Sequence, residues 1–389
     1  MRIIYCIPSL YNAGGMEHVL TIKANALANV YNHEVHIVTT NQNSRPVFYP
    51  LSDKVKTHDL HIDYEAIMKL PLHRRILARI KAKQEHKKKL SDLLAKIKPD
   101  ITVSMYTHEM SFLPDIKSAG RTVLELHFSK HFRRLDAQSN HRSAIHHLVN
   151  IWLDFSERRV IKRYDQFVVL THRDAADWGK RFSNMIVIPN PCIYKLSESY
   201  KPANNKRVMA AGRLCKQKGF DLLIQAWGLL PASLREEWHL DIFGSGEDQV
   251  DLQKEIQDAG LCDSITLAGR TTDIEKEYAS HSIFCFPSRY EGLSMALLEA
   301  MAMGVAPVSF DCSCGPSDVI EDGVSGYLVE QEDVGTFADR LSYLMESEED
   351  RLRISANAMK RIELNFTEEI VMGMWSDLFN DLIKSTPYA

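Results

Sequence analysis

Residues 282–310 read SIFCFPSRYEGLSMALLEAMAMGVAPVSF. The first six are a short apolar run that stops at Pro287. A loop follows with Gly292 in it, then an apolar-rich stretch, 293–303, of helical length. Gly304 ends that stretch, and VAPVSF (305–310) is a second apolar run. Two such runs joined through a helix read as parallel strands, because a parallel pair needs a crossover of about a dozen residues. Strands without polar alternation must be covered on both faces. The same alternation extends outward. Strand-like runs stand at 2–8, 34–40, 100–105, 121–126 and 166–170, then at 207–212, 239–244 and 264–269. Helical periodicity fills 16–30, 72–97, 143–163, 219–230 and 247–259. The fold class is therefore α/β with parallel sheets. Ten strands are many for one open sheet, so two Rossmann-like units fit better. Residues 189–206 hold three prolines and no periodicity and read as the connection. The first domain spans 1–188 and the second 189–369. A final helical run, about 367–385, has no strand after it.

The 389 residues are 45% hydrophobic and 25% charged, which excludes wholesale disorder. No apolar run approaches the roughly 18 residues of a membrane span, and the N-terminus turns polar too soon for a signal peptide. Seven scattered cysteines fit a reduced cytoplasmic protein better than a disulfide scaffold. Cys312 and Cys314 lack the partner pair of a zinc site, and no metal is expected. The net charge of −4 hides an asymmetry. Residues 1–190 hold 29 basic against 18 acidic side chains, and the remainder 18 against 33. The basic half calls for an anionic partner.

Four motifs carry chemistry. Gly14 and Gly15 follow the first strand and open a helix, where backbone can approach an anion; a plain tight turn would look the same. This is not the G-x-G-x-x-G dinucleotide fingerprint. Arg213 and Lys218 lie in a loop after strand 207–212, placed to neutralise a diphosphate without a metal, or simply to be solvated. Glu291 and Glu299 form E-x7-E around the helix start at Gly292, Leu293 and Ser294, whose free amides suit phosphate oxygens. Glu299 sits among Leu298, Ala300 and Met301, where a carboxylate with no partner would be costly. His127 ends strand 121–126 and either contacts substrate or is a satisfied core group.

These blocks, together with Thr171, Pro189-Asn190-Pro191, FGSGED (243–248) and GPSDVIEDGVSGYLV (315–329), resemble glycosyltransferase family four. The resemblance runs from residue 2 to about 345, is weak over 41–100 and is most specific over 207–330. It implies a GT-B fold, two Rossmann-like domains facing across a cleft, with the C-terminal helix, about 370–389, returning to the first domain. It implies a retaining, metal-independent transfer of a hexose or N-acetylhexosamine from a nucleotide sugar, UDP-linked by preference, with that donor as substrate and no cofactor. Arg213 and Lys218 match the pair that holds the diphosphate. Glu299 matches the acid on the ribose, and Glu291 the acid on the donor sugar. Gly15 matches the glycine loop, His127 the histidine beside the reacting sugar, and Arg270 the place that holds the base. Phe128 departs from the acid or small polar residue that often follows the histidine. No pair of acids suits a hydrolase couple, and the route proposed for the family needs no enzyme nucleophile.

The acceptor is expected to be a glycan or a lipid-linked glycan in surface polysaccharide or lipopolysaccharide synthesis. Residues 74–89 carry eight basic side chains, with Leu72, Ile76, Ile80, Leu90, Leu93, Leu94 and Ile97 spaced to bury one face. A basic amphipathic helix suits an anionic membrane surface, and an ordinary packed helix with a solvated face is the plainer reading. The expected location is cytoplasmic, peripheral at the inner face of the cytoplasmic membrane. Nucleic acid is not expected, since no aromatics interleave the charge. The competing readings are a nucleotide-sugar epimerase on the same fold and a non-catalytic nucleotide-sugar-binding protein. The latter would be expected to have lost Arg213, Lys218 or Glu299.

Overall fold

The computed structural model describes residues 1–132, 135, 156–194 and 203–385. It holds two parallel sheets. The first runs in the order β3-β2-β1-β4-β5-β6-β7: β1 Arg2–Ile7, β2 Glu34–Thr39, β3 Lys56–Asp59, β4 Ile101–Ser104, β5 Arg121–Glu125, β6 Gln166–Val169 and β7 Met185–Val187. The second runs β10-β9-β8-β11-β12-β13: β8 Arg207–Ala211, β9 His239–Phe243, β10 Ile265–Gly269, β11 Ile283–Phe286, β12 Ala306–Phe310 and β13 Tyr327–Val329.

Three of these strands escape a reading of apolar runs. β3, KTHD, is an edge strand with no hydrophobic residue, and β7 and β13 are three residues each. Pairing with a neighbour, not composition, makes β3 a strand, whereas MIV and YLV are apolar but too short to stand out as runs. The helix expected over 143–163 is helical over 156–161; the part before 156 lies outside the described residues, as do 195–202 of the connecting segment.

The central strands feed two cores. Ile3, Tyr5 and Ile7 of β1 join one cluster while Ile4 and Cys6 join another on the opposite face. In the second sheet Ile283 and Cys285 separate in the same way from Phe284 and Phe286. This two-residue alternation, with both sides apolar, is what helices on both faces require. The last helix, Glu368–Lys384, places Val371, Met372, Trp375 and Phe379 in the core of β1, so it closes the first domain from the far end of the chain.

The order of strands locates the crevices. In the first sheet the direction of winding reverses between β1 and β4; in the second it reverses between β8 and β11. Ligands of open α/β sheets bind at the carboxyl ends of such switch-point strands. Gly14 and Gly15 follow β1, the Arg213–Lys218 loop follows β8, and the E-x7-E block follows β11.

The helix Leu72–Ile97 corrects one expectation. Leu90 and Leu94 are buried, but Ile76 (56% exposed), Leu77 (71%) and Ile80 (52%) face solvent. In the N-terminal half of that helix the apolar stripe is left uncovered, although Ala82 further along is buried.

Candidate functional site

Two loops of the second domain are zipped together. Arg289 donates to both oxygens of Asp221 at 2.7 and 2.8 Å and to Glu332 at 3.0 Å. It also donates to the carbonyl of Lys216 at 2.8 Å, while Gln217 Nε2 donates to the carbonyl of Tyr290 at 2.9 Å. Gly219 sits at φ +66°, against Pro287, where any Cβ would collide with the proline carbonyl. That conformation and that closeness need glycine. The brace brings Lys218 Nζ to 2.6 Å from Glu291 Oε1, both largely buried. Two residues far apart in sequence thus meet at the mouth of the crevice.

Beyond Glu291 the chain turns at Gly292, Leu293 and Ser294 into the helix Met295–Ala302. Ser294 caps no amide with its side chain, so the first-turn N–H groups keep their anion-binding capacity. The buried Asn190 donates to the carbonyl of Leu293 at 3.0 Å and pins this turn to the interdomain segment. Glu299 lies one turn further on, buried, and accepts from Tyr278 Oη at 3.2 Å. Burial pushes its carboxyl up to about 7.

The first domain closes the site from above. Gly15 opens the helix Gly15–Asn29 and faces Met295 of the second domain, and Gly14 lies beneath the carboxylate of Glu17. His18 of the same helix stacks on Tyr49, ring centroids 4.1 Å apart, with Nδ1 3.9 Å from Glu299 Oε1. Burial lowers the His18 imidazole to about 4. At neutral pH it is uncharged beside Glu299. At the end of β5, His127 presents its carbonyl to Gly292 so closely that a Cβ there would collide with it. Its Nε2 is 3.1 Å from Glu125 Oε1, outside hydrogen-bond alignment.

Two of the expected residues are exposed where the others are enclosed. Lys218, Glu291, Gly292, Leu293, Ser294, Glu299, Gly14, Gly15 and His127 line facing edges of one cleft. Arg213 is exposed, and the nearby Cys215 side chain raises its pKa. Arg270 is exposed after β10 and donates to Ser245 at 2.7 Å. His18, Tyr49 and Tyr278 were not expected. His18 follows the glycine pair by three residues, which places it on the first turn of the helix facing the cleft; Tyr49 and Tyr278 carry no local signal.

Residues 195–361 match the family of glycosyl transferases group 1. Over 377 residues the chain is 28% identical to a glycosyltransferase of Haemophilus influenzae, covering 95% of this chain and 98% of the relative. It is 25% identical over 363 residues to a Campylobacter jejuni α-1,4-N-acetyl-D-galactosaminyltransferase that acts on a diphosphate-undecaprenol-linked glycan, covering 93% of each. Other relatives match over less of their length, 62% for one and 24% for another. Among solved structures, S. aureus TarM in complex with UDP superposes with a TM-score of 0.75 at 18% identity, covering 97% of this chain and 99% of that one. The fold is thus GT-B.

Proposed function

We propose that this chain is a retaining, metal-independent glycosyltransferase that moves a hexose or N-acetylhexosamine from a UDP-sugar to a glycan or lipid-linked glycan acceptor. The observation that carries the reading is the Lys218–Glu291 pair beside an uncapped helix start, with Glu299 one helical step away and His127 above. A nucleotide sugar is a chain of base, ribose, diphosphate and sugar. In this reading Glu299 accepts the ribose hydroxyls, and the amides of 292–294 together with Lys218 and Arg213 take the diphosphate. Glu291 takes hydroxyls of the donor sugar next to it. Charge grows on the diphosphate as the glycosidic bond breaks. Fixed cations and amides aimed there act without reorganisation, which is why no metal is called for. His127, between the domains, meets the sugar on the acceptor side.

The first domain supplies the acceptor side. Its exposed apolar stripe at Ile76, Leu77 and Ile80 lies among basic side chains of 74–89, which suits an anionic membrane carrying a lipid-linked acceptor. The chain would then work at the inner face of the cytoplasmic membrane. Among the described residues no helix is long and apolar enough to cross one.

The test is a panel of nucleotide sugars assayed by nucleotide release with and without acceptor, in chelator. Arg213→Ala should lower kcat by about a hundredfold, on the order of 3 kcal/mol of lost charge stabilisation. Full activity of that variant, or a strict need for Mg²⁺, would overturn the reading.

A further inference from the structure

The first domain buries an ion pair that the proposed chemistry does not use. Lys23, on the helix Gly15–Asn29, has no exposed side-chain surface. Its Nζ lies 2.7 and 2.5 Å from the two oxygens of Glu125, which is equally buried at the end of β5. The ammonium rests 3.6 Å from the Trp375 ring centroid and 5.1 Å from that of Tyr5. Burial would raise the Glu125 carboxyl, but Lys23 and His127 outweigh it and hold it below the usual carboxylate range. An ion pair this deep is a poor source of stability, because the desolvation of both charges offsets their attraction. Apolar side chains of similar size would pack the position at least as well.

What the pair does reach is His127. Glu125 Oε1 is 3.1 Å from His127 Nε2, off hydrogen-bond alignment but so close that an unprotonated nitrogen would turn its lone pair on a carboxylate, and the carbonyl of His127 abuts Gly292 at the edge of the phosphate loop. Lys23 grips both carboxylate oxygens, so Glu125 has one orientation. We propose that Lys23 and Glu125 are positioning residues for His127. They hold the imidazole in the Nε2–H tautomer, turned so that Nδ1 is the nitrogen left for a ligand in the cleft. Trp375, from the returning C-terminal helix, caps the ammonium and keeps water from it. This rests on the proposed transferase reading for its kinetic consequence, though not for its structural one.

Two measurements test it. In the wild type, ¹⁵N NMR of the His127 ring should show the Nε2–H tautomer; an Nδ1–H signal would overturn the proposal. This reading holds or fails whatever the enzyme transfers, so it is separable from failure of the donor panel. The double variant Lys23→Met/Glu125→Gln removes both charges together and leaves no orphan. It should melt no lower than wild type, keep the donor KM within about twofold, and lose kcat by about ten- to a hundredfold, as for groups that orient metal-ligating histidines. Unchanged kcat in a folded double variant would overturn the proposal. So would a fall in kcat in proportion to lost folded protein, which marks a purely structural pair. Should the double variant not fold, Glu125→Asp keeps the charge, shortens its reach, and should lower kcat at unchanged KM; wild-type kcat there is the contrary result.

Discussion

Glu299 holds a carboxyl pushed up to about 7 by burial, against about 4.5 for an ordinary one. Its folded pKa lies above its unfolded pKa, so the folded state binds the proton more tightly. The stability this gives is complete below about pH 4.5 and is lost as pH rises through 7. At pH 8 the ionised group costs on the order of 3 kcal/mol. Glu299→Gln should therefore melt several degrees higher than wild type at pH 8 and alike at pH 4.5. Melting curves at the two pH values check this, and an equal shift at both would contradict it. Calorimetry on the same variant should show weaker UDP binding, because an amide accepts from ribose hydroxyls less strongly than a carboxylate. Donor affinity in the wild type should rise with pH through about 7 and be flat in Glu299→Gln. His18, held at about 4, stays neutral across that window and cannot produce the same profile.

At the scale of elements, the helix Leu72–Ile97 is split by its surroundings. Its second half is anchored by Leu90 and Leu94, while the first half offers Ile76, Leu77 and Ile80 to solvent. Arg75 is occupied with the carbonyl of Leu70, and Lys87 stands 3.7 Å from Asp115. Arg74, Lys83 and Lys88 are the side chains to change. Each contributes about 1 kcal/mol near an anionic surface, so neutralising all three should cut liposome binding about a hundredfold at low salt. Leu77→Ser should weaken the binding that persists at high salt, where the charge term is screened. Activity on a short soluble acceptor should hold in both. Sedimentation with anionic vesicles like the wild type would reduce the helix to a solvated face.

For the whole molecule the decisive contact is where the two sheets' loops touch. Gly292 meets the carbonyl of His127, and Gly315, at φ +101°, packs against the carbonyl of Gly292. Close to this contact the domains are also clasped. Asp318 accepts from the amide of His172 at 2.6 Å, and Arg173 donates to Asp311 at 2.8 Å. Gly292→Ala should hold the domains apart by an overpacking penalty of about 1–3 kcal/mol. We expect kcat/KM to fall about ten- to a hundredfold while free-nucleotide affinity, set within the second domain, changes little. Equal losses in both would place the damage in the nucleotide site instead of in closure.

The alternation of apolar runs and helical stretches by itself determined two parallel-sheet domains, because only such sheets bury both faces of every strand. The glycine turns and the spacing of Glu291 and Glu299 were legible for the same reason: local backbone demands and a single helix relate those residues. The edge strand β3 was not legible, since its order comes from a neighbour's hydrogen bonds, nor were β7 and β13, whose three apolar residues are too few to read as a run. Nor was the exposure of Ile76 and Ile80, since a periodic stripe says that a face is apolar and not that anything covers it. Nothing local marks Lys23, amid TIKANALA (21–28), as buried, and its partner 102 residues away does not show in the chain. The pairing of Lys218 with Glu291, the approach of His18 to Glu299 and the line from Lys23 to His127 were decided only by tertiary structure. Each joins residues from different elements, and their distances follow from how those elements pack.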